Sequence, residues 1–295
     1  MREPVVAIDL GGTNLRGALV RADGEILRRD KQPTPVHDPR PDALVEMMRA
    51  MNDGGCKGAV VGIPGRIDHA EDRLVDAPNL PDGWDEWLSE TWLADQTGLA
   101  VSLANDADLA AVGEGSFGAG RDADDVVYVT ISTGIGAGVM LGQRVVVGRF
   151  SGGEIGHTLV DLAAMAVGEP DTVETIGSGS AMERRLDESD LAARGAEFAS
   201  LVRAGDPEAR SIWDRAMTAA AAGITNLAWI FAPSMVVIGG GVGLNADLVH
   251  PPIRAMLAER GPQLGFPIEV VAAELGDDAG LVGAAAWFHA IGRTL

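Results

Sequence analysis

Cysteine is almost absent from this chain, since Cys56 is the only one among 295 residues. No intrachain disulfide and no zinc cluster built on thiolates can therefore form. The N-terminus also lacks the apolar core of about 7–15 residues that a signal peptide needs, because a strand-like segment begins at Val5. We therefore expect a protein of the reducing cytoplasm.

Positive charge is scarce as well. The chain has 23 lysines and arginines against 43 aspartates and glutamates, a formal net charge of -20. Such a chain repels nucleic-acid backbones and anionic lipid surfaces. The most apolar long stretch, 216–242, contains Thr225, Pro233 and a glycine triplet, which favours a buried helix followed by a buried strand over a membrane span. Neither nucleic acid nor a membrane is expected as a partner.

Apolar residues and glycine, by contrast, are plentiful. Hydrophobic residues make up 46% of the chain, and 39 positions are glycine. This composition is typical of a packed α/β protein with many tight turns. Because single cores stop growing near ~250–300 residues, the length favours two lobes with a core each.

A junction between a strand and a helix is predicted at Asn105-Asp106. The apolar run 99–103 stops there, and a helical pattern of small residues starts at Ala107. Open α/β sheets bind ligands at such carboxyl ends of strands. Taken alone, the two residues are equally well explained as a helix cap.

A glycine turn follows the first strand. Val5 to Asp9 is a short apolar run that ends in a carboxylate, and Gly11, Gly12, Thr13 and Asn14 come next. Adjacent glycines let a backbone approach a phosphate, and the two polar side chains add donors. Asp9 could position Mg²⁺ through water. An ordinary Gly-Gly hairpin explains the local pattern equally well.

The same pattern recurs in the middle of the chain. An apolar strand from Asp125 enters a turn with Thr133, Gly134 and Gly136 and leaves as a second strand that ends at Leu141. Two copies of strand, glycine turn and strand indicate two similar half-folds, which could bind a polyphosphate chain from opposite sides.

Other polar or glycine-rich segments are candidates for ligand contacts. Asn79 lies in a proline-containing loop, and Glu154 and His157 are three residues apart in a glycine-rich turn. Gly239, Gly240 and Gly241 follow a predicted buried strand, where a purine could lie against the backbone. Surface solvation of the Glu-His pair and crowded packing at the glycines are the alternatives. The helices predicted around these segments include 86–97, 183–201 and 214–231.

Together these motifs resemble the ROK family of sugar kinases and sugar-responsive repressors. The motifs that carry the resemblance, in chain order, are Asp9 to Thr13, Gly62 to Gly65, Pro78 to Leu80, Asn105-Asp106, Thr133 to Gly138, Gly153 to His157 and Gly239 to Gly241. The resemblance implies an α/β, two-lobed actin-like ATPase (ribonuclease H-like) fold with duplicated mixed sheets and a cleft between the lobes. The expected lobes are 1–107 with about 279–295, and 108–278.

The resemblance also implies roles for individual residues in an ATP- and Mg²⁺-dependent hexose kinase, with glucose as the expected acceptor. Asp106 matches the catalytic base. The matches to sugar-binding residues are Asn79, Asn105, Asp106, Glu154, His157 and Glu174. The matches to nucleotide-binding residues are Asp9, Gly11, Gly12, Thr13, Asn14, Thr133, Gly134, Gly136, Gly239, Gly240 and Gly241. We also expect a homodimer.

One departure from the family concerns zinc. Many ROK proteins hold a structural zinc with three cysteines, and here the aligned positions are Met165, Val167 and Thr172. We therefore expect no structural zinc. The alternatives are a kinase for N-acetylmannosamine, mannose or fructose, a polyphosphate-dependent glucokinase, a catalytically silent ATPase of the superfamily, and a non-catalytic sugar-sensing regulator. Only four residues precede Val5, which disfavours an N-terminal DNA-binding domain.

Overall fold

The structure is a computed structural model that describes residues 3–52, 54–77, 79–189, 191, 197–260, 263 and 265–291. The chain forms two compact units, which are described separately. Unit 1 comprises 1–122, 138–152 and 274–295, and unit 2 comprises 123–137 and 153–273. The lobes expected from the sequence have different boundaries, and we keep that division as a proposal.

Unit 1 is built on a five-stranded sheet with the strand order β3-β2-β1-β4-β7. β1 pairs with β2 antiparallel and with β4 parallel, and β7 lies parallel to β4. The strands are β1 (Val5–Leu10), β2 (Asn14–Val20), β3 (Ile26–Pro33), β4 (Gly58–Ile63) and β7 (Ala100–Asn105), and a hairpin of β5 (Arg66–Asp68) and β6 (Arg73–Asp76) follows β4.

Helices cover this sheet, because the central strands are apolar on both faces. All six residues of β4 are buried. A side chain at Gly17 would meet Met47 of α1 (Asp42–Met51), and one at Gly58 would collide with Phe288 of α10 (Ala279–Ile291). The remaining helices of unit 1 are α2 (Glu90–Thr97) and α3 (Asp106–Phe117).

The second five-stranded sheet has the order β10-β9-β8-β11-β12. β11 lies parallel to β8 and to β12. Its strands are β8 (Val126–Ile131), β9 (Ile135–Leu141), β10 (Arg144–Val145), β11 (Met235–Gly239) and β12 (Glu269–Ala272). The two sheets have the same strand order. The strand that precedes the glycine turn, β1 or β8, is central in each sheet. It lies between the strand that follows the turn, β2 or β9, and a later parallel strand, β4 or β11. The duplication predicted from the glycine turns is thus present as a duplicated strand order.

The α-helices of unit 2 among the described residues lie after the second glycine turn. They are α4 (Leu162–Met165), α5 (Val173–Gly177), α6 (Gly179–Asp187), α7 (Phe198–Arg203), α8 (Pro207–Phe231) and α9 (Ala246–Arg260). The long helix α8 begins seven residues before its predicted start because Asp206 caps it, accepting bonds from the N–H groups of Glu208 and Ala209, with Pro207 in the first turn.

Two predicted helices have different limits in the structure. The predicted helix 86–97 begins only at Glu90, because Ser89 caps it and the Asp72 carboxylate accepts bonds from the N–H groups of Glu90 and Thr91. The predicted helix 183–201 is divided between α6 and α7. The Ser189 hydroxyl donates to the Leu186 carbonyl at 2.7 Å just after α6, and residues 190 and 192–196 lie outside the described residues.

Helix α9 was not predicted, since Pro251 and Pro252 lie inside it. Proline lacks an N–H, so the carbonyls four residues earlier lose their helical partners. The Trp213 indole N–H compensates at one of them by donating to the Leu248 carbonyl at 3.4 Å. Among the described residues, no helix is long and apolar enough to cross a bilayer.

Candidate functional site

The carboxyl ends of three parallel strands of unit 1 are aligned by register. Asp9 of β1 pairs with Gly62 of β4, and Gly62 pairs with Ala104 of β7. Asn105 pairs with Ile63 one residue further along. Asp9 and Asn105 therefore lie at the same edge of the sheet, two strands apart, where ligands bind in open α/β sheets.

Asn105 caps α3, as the capping interpretation of the sequence predicted. Its Oδ1 accepts bonds from the N–H groups of Ala107 at 2.9 Å and Asp108 at 3.2 Å. The side-chain amide donates to the Gly65 carbonyl at 3.1 Å. Both functions of the amide group are therefore used to fix the entry into the helix.

Asp106 is the first residue of α3 and its side chain is exposed. One carboxylate oxygen accepts a bond from the N–H of Ala107 at 2.8 Å. The positive end of the helix dipole stabilises a carboxylate here. The local fold thus presents an exposed carboxylate, oriented by a backbone N–H, at the carboxyl ends of the strands.

The first glycine turn is a tight hairpin between β1 and β2. The Gly11 N–H donates to the Asn14 carbonyl at 2.9 Å. A Cβ at Gly12 would collide with the carbonyl oxygen of Asn79. The turn and the Asn79 loop are thus in direct contact, and the side chains of Thr13 and Asn79 are exposed beside it.

Asp9 lies at the base of this hairpin, directly opposite Arg16 of β2. Arg16 Nε is 3.5 Å from Asp9 Oδ2. Burial raises the pKa of Asp9, the Arg16 guanidinium acts in the opposite direction, and the Asp277 carboxylate raises it further. A carboxylate beside a backbone turn is the type of oxygen donor that Mg²⁺ prefers. Asp9 and the turn thus fit a Mg²⁺-nucleotide in donor chemistry and in the space left by glycine.

Arg16 was missed by the sequence analysis. It is separated from the Gly11–Asn14 turn by the same short distance along the chain as Asp9, so a hairpin register would have placed the two residues side by side. The equal spacing of Asp9 and Arg16 from the turn can be read from the sequence, but it predicts their pairing only if the segment is first assumed to be a hairpin.

In unit 2, Glu174 of α5 is bound to the second glycine turn. Its Oε2 accepts a bond from the N–H of Ile135 at 2.8 Å, and a Cβ at Gly134 would meet the same oxygen at 2.5 Å. The turn is also supported by α6, whose Gly179 and Ser180 N–H groups donate to Ser132 and Thr133. The structure therefore brings together one predicted sugar ligand and one predicted phosphate turn.

Glu154 and His157 are neighbours at a short 3-10 helix. The Nε2 atom of His157 is 3.8 Å from Glu154 Oε2, and the His157 side chain is 74% exposed. A Cβ at Gly156 would press on the Ile135 carbonyl and approach Glu174. The Glu154–His157 turn, Glu174 and the Thr133–Gly136 turn thus form one cluster in unit 2.

The glycine triplet after β11 has two different explanations. Gly240 has φ +83, and a Cβ there would meet the Ile131 carbonyl at 2.5 Å, so backbone conformation and crowding account for it. A Cβ at Gly241 would meet no atom within 4 Å. Packing therefore explains Gly240, while nothing in the described structure crowds the Cβ position of Gly241.

Met165, Val167 and Thr172, the positions aligned with the family's zinc-binding cysteines, are either exposed or engaged in a helix cap. Met165 and Val167 are exposed, at 48% and 73%. Thr172 caps α5 by accepting a bond from the N–H of Thr175. Among the described residues, no group of three or more histidine, cysteine, aspartate or glutamate side chains is arranged to hold a metal ion. A helix cap and backbone bonds thus hold the start of the helix that carries Glu174.

Three comparisons relate the chain to known proteins. The sequence model of the ROK family matches residues 5–291. The chain is 33% identical to a glucokinase of Thermotoga maritima, over 95% of this chain and 96% of that one. It is 31% identical to an N-acetylmannosamine kinase of Haemophilus influenzae, over 96% and 94%. A crystal structure of a ROK family glucokinase from Streptomyces griseus, in complex with glucose and AMPPNP, superposes with a TM-score of 0.75 at 32% identity, over 96% of this chain and 98% of that chain.

Proposed function

The chain belongs to the ROK family, and from this premise we propose that it is a sugar kinase that transfers the γ-phosphoryl group of ATP to a hexose hydroxyl. We propose glucose as the acceptor and glucose 6-phosphate as the product. The observation that carries the proposal is the exposed Asp106 carboxylate at the start of α3, at the same sheet edge as Asp9 and its glycine turn.

Phosphoryl transfer needs little covalent chemistry from the protein, so positioning and charge stabilisation dominate. Asp106 accepts the proton of the sugar hydroxyl as its oxygen attacks the γ-phosphorus. The new O–P bond forms while the bond from the γ-phosphorus to the bridging oxygen breaks, and ADP leaves. The amide of Asn105, which is fixed by Gly65 and by the helix cap, orients the sugar beside this base.

For the nucleotide, we propose that the turns at Gly11–Asn14 and Thr133–Gly136 bind the phosphates and that Gly241 borders the adenosine. Asp9 would hold Mg²⁺, directly or through water, and a bound Mg²⁺ neutralises charge on the transferred phosphoryl group. Support for ATP as the donor comes from the AMPPNP complex of the Streptomyces griseus relative.

Sugar selection is assigned to Asn79, Asn105, Glu154, His157 and Glu174. A site that pairs each buried hydroxyl rejects sugars that lack one, by up to ~10⁴–10⁵-fold. A second candidate acceptor is N-acetylmannosamine, because a relative of nearly equal identity is named for that activity. We also propose that the protein acts in the cytoplasm as a homodimer.

A panel of acceptors tests the proposal. Glucose, N-acetylmannosamine, mannose and fructose are each assayed with ATP–Mg²⁺ and with polyphosphate, and kcat/KM is compared because it measures discrimination. We expect glucose with ATP to rank first. A higher kcat/KM for another sugar would show that this sugar, and not glucose, is the acceptor, and the assignment as a sugar kinase would stand. Sugar binding without phosphorylation by either donor identifies a sugar-sensing regulator instead.

A further inference from the structure

Arg16 is not itself a candidate ligand-binding residue, but it connects Asp9, which is one, to the C-terminal part of unit 1. Its Nη1 donates to the backbone carbonyl of Asp277 at 2.9 Å and lies 3.4 Å from the Asp277 carboxylate. Its Nε points toward Asp9 Oδ2 and is buried without a hydrogen-bond partner among the described residues. The guanidinium is thus fixed at Nη1 by the Asp277 carbonyl, and its Nε lies close to the Asp9 carboxylate.

The separation of 3.5 Å between Arg16 Nε and Asp9 Oδ2 is too long for a strong hydrogen bond. The carboxylate therefore keeps its lone pairs for another partner. The nearby positive charge favours one orientation of this half-buried side chain. An arginine this close can orient Asp9 without occupying its oxygen atoms.

The turn that holds Arg16 is itself anchored by a fully buried carboxylate. Glu114 of α3 is 0% exposed and accepts bonds from the N–H groups of Leu275 at 2.8 Å, Glu274 at 3.1 Å and Ala119 at 2.9 Å. Both of its oxygens are satisfied by backbone donors, which is how a buried carboxylate is stabilised. The same helix that begins with Asp106 therefore fixes the position of the Asp277 carbonyl.

We infer that Arg16 is a positioning residue for Asp9, held in place by the Asp277 carbonyl and, through the 274–275 turn, by Glu114. The inference rests on the proposed function, in which Asp9 serves the Mg²⁺-nucleotide. The contacts from Glu114 of α3 to the 274–275 turn, and from Asp277 to Arg16, then position the Asp9 side chain relative to the start of α3.

Removal of the arginine has two opposite physical consequences. Loss of a positive charge alone would strengthen cation binding at Asp9 by Coulomb attraction. Loss of positioning would weaken it, since repulsion from the Asp277 carboxylate would turn the Asp9 side chain away from the orientation that Arg16 imposes. The sign of the change in Mg²⁺-nucleotide affinity therefore distinguishes a positioning residue from a mere neighbouring charge.

The experiment compares Arg16→Gln, Arg16→Lys and Arg29→Gln. Arg29 is the matched control, because it pairs with Asp278 in the same turn at 2.9 Å and has no described contact with Asp9. Calorimetry measures the affinity of each protein for AMPPNP with Mg²⁺, for AMPPNP with chelator, and for glucose. Melting temperatures of the ligand-free proteins report folding.

We expect Arg16→Gln to weaken AMPPNP binding with Mg²⁺ by at least ~10-fold, the lower range for a lost charge-assisted contact. Glucose affinity and AMPPNP affinity in chelator should stay within ~2-fold, because this loss is specific to the metal-bound nucleotide. Arg16→Lys should recover part of the loss, and Arg29→Gln should behave as wild type.

Unchanged or tighter Mg²⁺-AMPPNP binding in Arg16→Gln would overturn the inference. Equal losses for glucose, for AMPPNP in chelator and for Mg²⁺-AMPPNP would reveal a structural role and would overturn it as well. A wild-type protein that binds neither glucose nor nucleotide contradicts the proposed function itself, and this outcome is distinct from the variant-specific ones.

Discussion

Asn105 and Gly65 are joined by a hydrogen bond of 3.1 Å from the side-chain amide to the carbonyl oxygen. Because the Asn105 oxygen also receives two backbone N–H groups, one amide N–H is left for a sugar hydroxyl. On the proposed assignment, Asn105 can therefore act toward the sugar only as a donor.

This restriction predicts different results for two substitutions of Asn105. Serine also caps helices well, so Asn105→Ser should cost little stability, while Asn105→Ala should cost about 1 kcal/mol. Both should lower glucose affinity by at least ~10-fold, because neither side chain carries the amide N–H group, and a shorter serine hydroxyl does not occupy the amide nitrogen's position. Urea unfolding and calorimetry measure the two effects. Wild-type glucose affinity in Asn105→Ser would remove Asn105 from the sugar site.

Asp106→Asn is predicted to separate binding from catalysis. An amide oxygen can still accept the Ala107 N–H, which the carboxylate now accepts at 2.8 Å, so glucose binding should persist. The base is lost, and kcat should fall by at least ~10²-fold. Coupled kinetics and calorimetry check both expectations, with the exposed Asp95 of α2 changed to Asn as a control. A near-normal kcat would assign the base to another residue.

Glu174 should prove to be a structural support of the second glycine turn as well as a candidate ligand. Glu174→Ala leaves the N–H of the buried Ile135 without its acceptor and should cost ~1–3 kcal/mol. Glu174→Gln keeps an oxygen acceptor and should cost less. Hydrogen exchange at the Ile135 amide is the direct readout: fast in the alanine variant and protected in the glutamine variant. Glu183→Ala, on the exposed face of α6, controls for loss of charge.

Acid stability should depend on Asp68. Hydrogen bonds from Arg149 lower the pKa of this buried carboxyl below its ordinary value. A lowered folded-state pKa contributes stability above the unfolded pKa, near 3.9, and that stability is lost as the pH falls through the folded value. Asp68→Asn should therefore lose less stability than wild type between about pH 5 and about pH 3.

The measurement for Asp68 is the urea midpoint as a function of pH. Asp76→Asn is the control, because Asp76 belongs to the same β5–β6 hairpin but pairs with Arg66 on the exposed surface. If the urea midpoints of wild type and Asp68→Asn change with pH in parallel, and only those of Asp76→Asn differ, the Arg149 contact does not govern acid unfolding.

The purified protein is predicted to contain no stoichiometric zinc. The positions aligned with the family's cysteines are Met165, Val167 and Thr172, and Thr172 is already engaged as a helix cap. Elemental analysis gives the zinc content, and a chelator should leave the melting temperature unchanged. One zinc per chain, together with a chelator-sensitive melting temperature, would require ligands beyond these positions.

The predictions from sequence succeeded where local pattern was enough. The glycine turns after β1 and β8 and the junction at Asn105 follow from short apolar runs and turn residues, and their repetition indicated the duplicated sheets. The start of α2 was wrong because Asp72, which caps it, lies 18 residues away from Glu90. The contact from Arg16 to Asp277 spans 261 residues, and no periodicity in the sequence indicates it. Pro251 and Pro252 argue against a helix at α9 when only the sequence is known. The bond from the Trp213 indole to the Leu248 carbonyl, which replaces a lost helical bond, is visible only in the folded structure.

The close approach of Gly12 to Asn79 has a consequence for the energetics of substrate binding. Because a Cβ at Gly12 would collide with the Asn79 carbonyl, neither segment can move toward the other without displacing it. On the proposed assignment, one segment touches the phosphates and the other touches the sugar, so the two ligands share a coupling free energy. By linkage, glucose then changes nucleotide affinity by the same factor by which nucleotide changes glucose affinity. On this assignment, a single close approach inside unit 1 would make the affinity for each substrate depend on whether the other is bound.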